Sequence, residues 1–115
     1  MEEISINEYV RTKKGNIGKV IGIFEGHSIA KYHIEFQGNV KVKRQYLSTK
    51  TIVKHSKIIS EIVENGDYVN GKLIHKIDKG PNYCYLYYGN CKTFVSYQIK
   101  SIVTKEQFAQ AEYKV

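Results

Sequence analysis

The stretch Tyr83–Gln98, "YCYLYYGNCKTFVSYQ", decides the class of the fold. Gly89-Asn90 splits two β-prone runs, and a glycine in the first central position suits a two-residue II′ hairpin turn. That turn opposes Tyr88 to Cys91, Leu86 to Thr93 and Cys84 to Val95. Successive strand side chains point to opposite sides. One face therefore carries Cys84, Leu86, Tyr88, Cys91, Thr93, Val95 and Tyr97, and the other Tyr83, Tyr85, Tyr87, Lys92, Phe94 and Ser96. Only one face can serve the core, so the second aromatic face is expected to be covered by another copy of the chain or to hold a ligand. Cys84 and Cys91 fall roughly 13 Å apart along one face, too far for a bridge, and are expected as reduced thiols.

Strand patterns continue outward from this hairpin. "EYVRT" and "NIGKVIGIF" flank the turn signal Lys13-Lys14-Gly15-Asn16. "IAKYHIEF" alternates Ala30, Tyr32, Ile34 and Phe36 with Ile29, Lys31, His33 and Glu35. "NVKVK" predicts a fourth strand, with Val40 and Val42 inward and Lys41 and Lys43 outward. After an extended piece through Lys54-His55, "SKIISEIV" predicts a short helix with Ser56 as N-cap. "YV" before "GKVI" at Tyr9–Ile21 is echoed by "YV" before "GKLI" at Tyr68–Ile74. The tail, "TKEQFAQAEYK", has Thr104 and Gln107 at capping-box spacing, which predicts a helix over Lys105–Tyr113. The expected fold is mainly β: a small SH3-like barrel, or two half-related β units with a short connector helix and a short C-terminal helix. One compact domain is expected over 1–115, divisible into β subdomains 1–50 and 66–103 joined by a connector, 51–65.

Composition narrows the function. Lys and Arg number 18 against 11 Asp and Glu, a formal +7, so the chain attracts polyanions. "MEEISINEYV" has no basic stretch before an apolar core, and no apolar run approaches a membrane span; a cytoplasmic protein without membrane contact is expected. The four histidines and two cysteines show no CxxC, HExxH or HxH spacing, and no serine sits in a nucleophile-elbow context. No cofactor, metal or catalytic group is expected.

The basic and aromatic residues carry more information. "VKVKRQYLSTKTIVKHSK" brings Lys41, Lys43 and Arg44 beside Tyr46, followed by Lys54 and His55. Cations pair with phosphates, and tyrosine rings offer stacking planes to bases. Arg44 is the foremost candidate, because its planar fork grips a phosphate at two points. Tyr85, Tyr87, Lys92 and Phe94 repeat the two ingredients on the final hairpin. Together these residues define an expected binding site for an anionic, nucleotide-type ligand, formed between subunits of a homo-oligomer. A solvated, lysine-protected sheet edge and a buried aromatic interface are the structural alternatives for the same residues.

"EYVRTKKGNIGKVIGI", "IVKHSKIISEIVENGDYVNGKLI" and "IKSIVTKEQFAQAEYKV" together resemble a set of small, mostly uncharacterised proteins encoded by bacteriophages and prophages of clostridia and related Gram-positive bacteria. The ordered KHS, GDYVNG and TKEQF segments carry the likeness, which spans nearly the whole chain. "NVKVKRQYLSTKT" and "KGPNYCYLYYGNCKTF" fall outside it. The resemblance implies phage origin, a host-cell location and a small β fold, and brings no assigned site residue. On that basis the chain is expected to be a non-enzymatic counter-defence protein that sequesters a nucleotide-type immune signal. Two alternatives are a nucleic-acid-binding SH3-like module and a protein-binding antagonist of a host defence nuclease.

Overall fold

The computed structural model describes residues 3–24, 31–37 and 42–111. The chain is mainly β and divides into two compact units, Met1–Lys57 and Ile58–Val115. Eleven strands occur among the described residues, in three antiparallel sheets. No helix among them is long and apolar enough to cross a membrane.

The first unit is one five-stranded sheet in the order β4-β3-β2-β1-β5, built from β1 (Tyr9–Thr12), β2 (Ile17–Ile23), β3 (Tyr32–Phe36), β4 (Arg44–Leu47) and β5 (Ile52–Ser56). The alternation read in β3 is realised: Tyr32, Ile34 and Phe36 are buried, His33 and Glu35 half-buried. The inward residues join Ile4, Val10, Val20 and Ile52 in one apolar cluster. Gly18 also faces inward, opposite Phe36. A Cβ there would lie 2.6 Å from Ile34 Cγ2 and 2.8 Å from the Glu35 carbonyl oxygen, so only glycine lets β2 and β3 approach this closely.

The fourth strand starts later than "NVKVK" predicts. β4 begins at Arg44; Val42 is exposed, and Lys43 precedes the strand. Val40 and Lys41 lie outside the described residues. The register follows the larger apolar side chain: Leu47 stands opposite Tyr32 and packs on the cluster, which leaves Gln45 opposite Ile34.

The connector read over 51–65 is divided between the units. β5 pairs along β1 in the first, with Ser56 opposite Tyr9, so Ser56 is a ladder residue and not an N-cap. The predicted helix contracts to a 3₁₀ turn over Ile59–Ile62 in the second unit, capped by extended Ile58 without a side-chain bond. With its predicted cap committed to a strand, the segment draws its side-chain acceptor from far along the chain: the Ser60 amide donates to Ser96 Oγ at 3.2 Å.

The second unit holds β6 (Tyr68–Val69), β7 (Lys72–Leu73), β8 (Lys76–Lys79), β9 (Cys84–Tyr88), β10 (Lys92–Phe94), a 3₁₀ turn over Ser96–Gln98, β11 (Ile102–Val103) and α1 (Lys105–Ala111). Its sheets run β10-β9-β8 and β11-β6-β7. Asn70-Gly71, both at positive φ, form the two-residue turn between β6 and β7. The predicted capping box is present in both directions: the Thr104 amide donates to Gln107 Oε1 and the Gln107 amide to Thr104 Oγ1, each at 3.3 Å. Tyr113, at the expected end of that helix, lies outside the described residues.

The echoed hairpins share a pattern but not a register. Val10 pairs with Gly18, whereas Val69 pairs with Lys72. As a result Val20 is the buried residue of "GKVI", while in "GKLI" Leu73 is exposed and Ile74 buried. A one-residue slip inverts a strand's faces.

The final hairpin also departs from its expected register. Tyr88 pairs with Lys92, Tyr87 with Thr93 and Leu86 with Phe94. The loop has three residues, Gly89-Asn90-Cys91, and closes with Cys91 at φ 59°, a left-handed position usually given to glycine. The added loop residue turns every β10 side chain over. Phe94 stacks on Tyr88 with centroids 4.2 Å apart and joins the cluster around Val63, Val69, Ile74 and Leu86. It is therefore not on the face of Tyr85 and Tyr87, and it is not a cross-strand neighbour of Tyr85.

Candidate functional site

The outward face of the first unit's sheet gathers the chemistry. Across β2, β3 and β4 the register sets Lys19, Glu35 and Arg44 in one row and Gly22, His33 and Tyr46 in the next. Tyr46 stacks on His33 with centroids 4.4 Å apart and planes 13° from parallel, and Phe24 leans on Tyr46 at 5.2 Å. Phe24 and Tyr46 are about half exposed, so the platform is open on one side. Gly22 leaves the flank of His33 uncovered: a Cβ there would meet His33 Cβ at 3.6 Å, an ordinary contact.

Cations border the platform. Arg44 Nε donates to Glu35 Oε2 at 3.0 Å, which lays the guanidinium along the face. This exposed pair contributes little stability. Lys19 stands on the other side of Glu35 in the row, its ammonium 5.4 Å from the Tyr9 ring centroid. Lys31, before β3, lies with its ammonium 5.2 Å from the Tyr32 ring. Among the described residues, no group of three or more His, Cys, Asp and Glu side chains is placed to hold a metal ion.

The predicted site residues are distributed as follows. Arg44 and Tyr46 share this face, and exposed Lys43 precedes them. Lys41 lies outside the described residues. Lys54 is half-buried opposite Arg11, one pairing position from His55. His55 turns to the other side of the sheet, where its Nδ1 donates to Glu8 Oε1 at 2.7 Å. Tyr85, Tyr87, Lys92 and Phe94 belong to the second unit. There Tyr87 lies beneath the Lys76 ammonium, Tyr85 stacks on Tyr83, and Lys92 is exposed on the side of Phe94. Sequence reasoning missed Phe24 and the opposition of Glu35 to Arg44; the alternation in "IAKYHIEF" is the signal for Glu35, and Phe24 has none.

The Glu8–His55 pair ties the residue before β1 to β5. Burial opposes the Glu8 charge, but the His55 hydrogen bond, the Ser5 amide and the charges of His55 and Lys57 outweigh it. The carboxyl therefore titrates below the usual carboxylate range. A carboxylate with a depressed folded-state pKa stabilises the fold above its unfolded pKa, and that contribution disappears as pH falls through the folded value. Acid titration of the melting temperature is expected to show a decline below about pH 4.5 that Glu8→Gln flattens. An unchanged acid limb in the variant would place the acid sensitivity elsewhere.

No family model, curated protein or solved structure matches the chain.

Proposed function

We propose that the chain is a non-enzymatic binding protein for nucleotide chemistry, and that the first unit's outer sheet face takes single-stranded nucleic acid. The observation that supports this most is the half-exposed platform of Phe24, Tyr46 and His33 bordered by Arg44 and Lys19. Bases stack on such rings whatever their sequence, and the neighbouring cations meet the phosphates. β4 ends the sheet order, so a strand can run across the face, and the formal +7 favours its approach. The sheet order, with β1 pairing both β2 and β5 and β2 to β4 forming a meander, fits an SH3-like barrel.

Capture of a single nucleotide-type immune signal by a phage counter-defence protein is the second reading. It is favoured by the pairing of one guanidinium with one stacking ring at Arg44 and Tyr46, and by the phage kinship that the sequence resemblance implies.

Fluorescence anisotropy with labelled oligouridylate and oligothymidylate, competed by linear and cyclic nucleotides, separates the two. Strand binding with a steep salt dependence is expected, weakened by Tyr46→Ala by about 1–3 kcal/mol, the contribution of one stacked base. Arg44→Ala should reduce the salt slope by about one phosphate contact. Glu35→Gln should strengthen binding, because Arg44 and Lys19 then lose the carboxylate that competes with phosphate. Tight binding of a cyclic nucleotide without strand binding would establish the second reading instead. If neither ligand binds, both are wrong and the face docks a protein, such as a defence nuclease.

A further inference from the structure

The second unit carries a groove that the nucleotide reading does not use. It is half open, with a volume of about 540 Å³, within the range of small-ligand and peptide sites. Tyr83, Tyr85 and Tyr97 line it with Pro81 and Val95, and Glu61 is its only charged residue. No lysine or arginine lines it among the described residues, in a chain of formal charge +7. The cation beside the groove, Lys79, is taken up by Glu61 at 3.3 Å, so phosphate meets no net positive charge there.

The walls are fixed in place. The Tyr83 ring lies directly over Gly80, where an added Cβ would come within 2.2 Å of Tyr83 Cε1, and it stacks on Tyr85 with centroids 5.5 Å apart. Tyr97 projects from the 3₁₀ turn with 81% of its surface exposed. Side-chain bonds help to hold that turn: the Val95 amide donates to Gln98 Oε1 at 2.9 Å, and Ser96 Oγ donates to Ser60 Oγ at 2.6 Å. Because Ser60 and Ser96 bond each other and the Cys84 thiol points to the Ser60 carbonyl, the floor has few directional groups left for a sugar.

We propose that this groove docks an extended, proline-rich peptide segment of a partner protein, with an arginine placed at Glu61. The exposed tyrosine rings receive the proline rings of a left-handed extended helix, whose low entropy makes a flat site sufficient. Tyrosine hydroxyls donate to the peptide's exposed carbonyls. Charge complementarity chooses the basic residue. Lys79 meets Glu61 at 3.3 Å through a single ammonium, and a guanidinium replaces it with two parallel N–H donors. This site is independent of the nucleotide face, so either can fail alone.

The test uses the full chain and a fluorescein-labelled oligoproline peptide ending in arginine. Saturable binding is expected, weakened about tenfold or more by Tyr97→Ala, whose exposed side chain can be removed without touching a core. Gly80→Ala, which displaces the Tyr83 ring, should weaken it similarly, while Tyr46→Ala leaves it unchanged. Replacing the peptide's arginine by glutamate should also reduce affinity. The proposal is overturned if the wild type shows no saturable binding, if Tyr97→Ala with an unchanged melting curve binds as the wild type does, or if an oligonucleotide or oligosaccharide displaces the peptide from the groove.

Discussion

Replacing Asp67 by alanine should unfold the second unit or bring it close to unfolding. Asp67 is fully buried, and its two carboxylate oxygens hold separate elements together. Oδ1 accepts from the Lys105 amide at 2.9 Å, at the start of α1, and Oδ2 from the Glu64 amide at 2.8 Å, after the first 3₁₀ turn. The Asp67 backbone also accepts from the Ile74 amide and donates to the Glu64 carbonyl. A hydrogen bond to a charged group contributes about 1.5–3 kcal/mol, and an orphaned buried amide costs about as much again as an ordinary bond. The expected loss is therefore on the order of 3–6 kcal/mol, a large share of the 5–15 kcal/mol typical of a small domain. Urea denaturation followed by tyrosine fluorescence checks this. A loss under about 1 kcal/mol would mean that other groups take over both amides. The same geometry gives two of the ordered sequence segments a common cause: GDYVNG supplies the carboxylate and TKEQF the helix start it caps. Their role is architectural.

Gly18→Ala is expected to have the next largest effect, in the first unit. Its Cβ would approach three atoms of β3 within 2.9 Å, one of them the Glu35 carbonyl oxygen, which no side-chain rotation can move. The strands must separate, at about 3 kcal/mol by the scale of overpacked cores. Lys19 and Glu35, adjacent in the chain to Gly18 and its partner Phe36, would move with them, so nucleic-acid binding should weaken as well. Gly22→Ala is the control: with ordinary contacts only, it should change the melting temperature little. Equal effects at the two glycines would contradict the packing described for Gly18.

The sequence made most of the strands legible, for a specific reason. A half-buried antiparallel sheet needs alternation, and Tyr32–Phe36 shows it without interruption. The capping box of Thr104 and Gln107 was legible because both partners lie within one turn. What stayed hidden depended on partners far along the chain or on one unusual backbone angle. Cys91 in the left-handed region lengthens the last turn and moves Phe94 from the outer face to the core. Ser56 has the chemistry of a cap, but pairing with Tyr9 claims it for a strand. At the candidate site, the alternation read in "NVKVK" set Lys43 outward and so gave Arg44 and Tyr46 the parity of inward Val42, whereas the observed register puts both on the outer face. Glu35 beside Arg44 required the register between β3 and β4, and the position of Phe24 required the extra residue at Ile21, between paired Val20 and Gly22. Nothing local encodes either.

Ultraviolet cross-linking of a thymidine oligonucleotide, read out by peptide mass spectrometry, tests the central claim most directly, because photoreaction needs a base stacked on the residue it marks. Adducts on Tyr46 and Phe24, reduced by high salt and absent at position 46 in Tyr46→Ala, are the predicted result. Adducts confined to Tyr83–Tyr97, or a uniform low yield indifferent to salt, would contradict it.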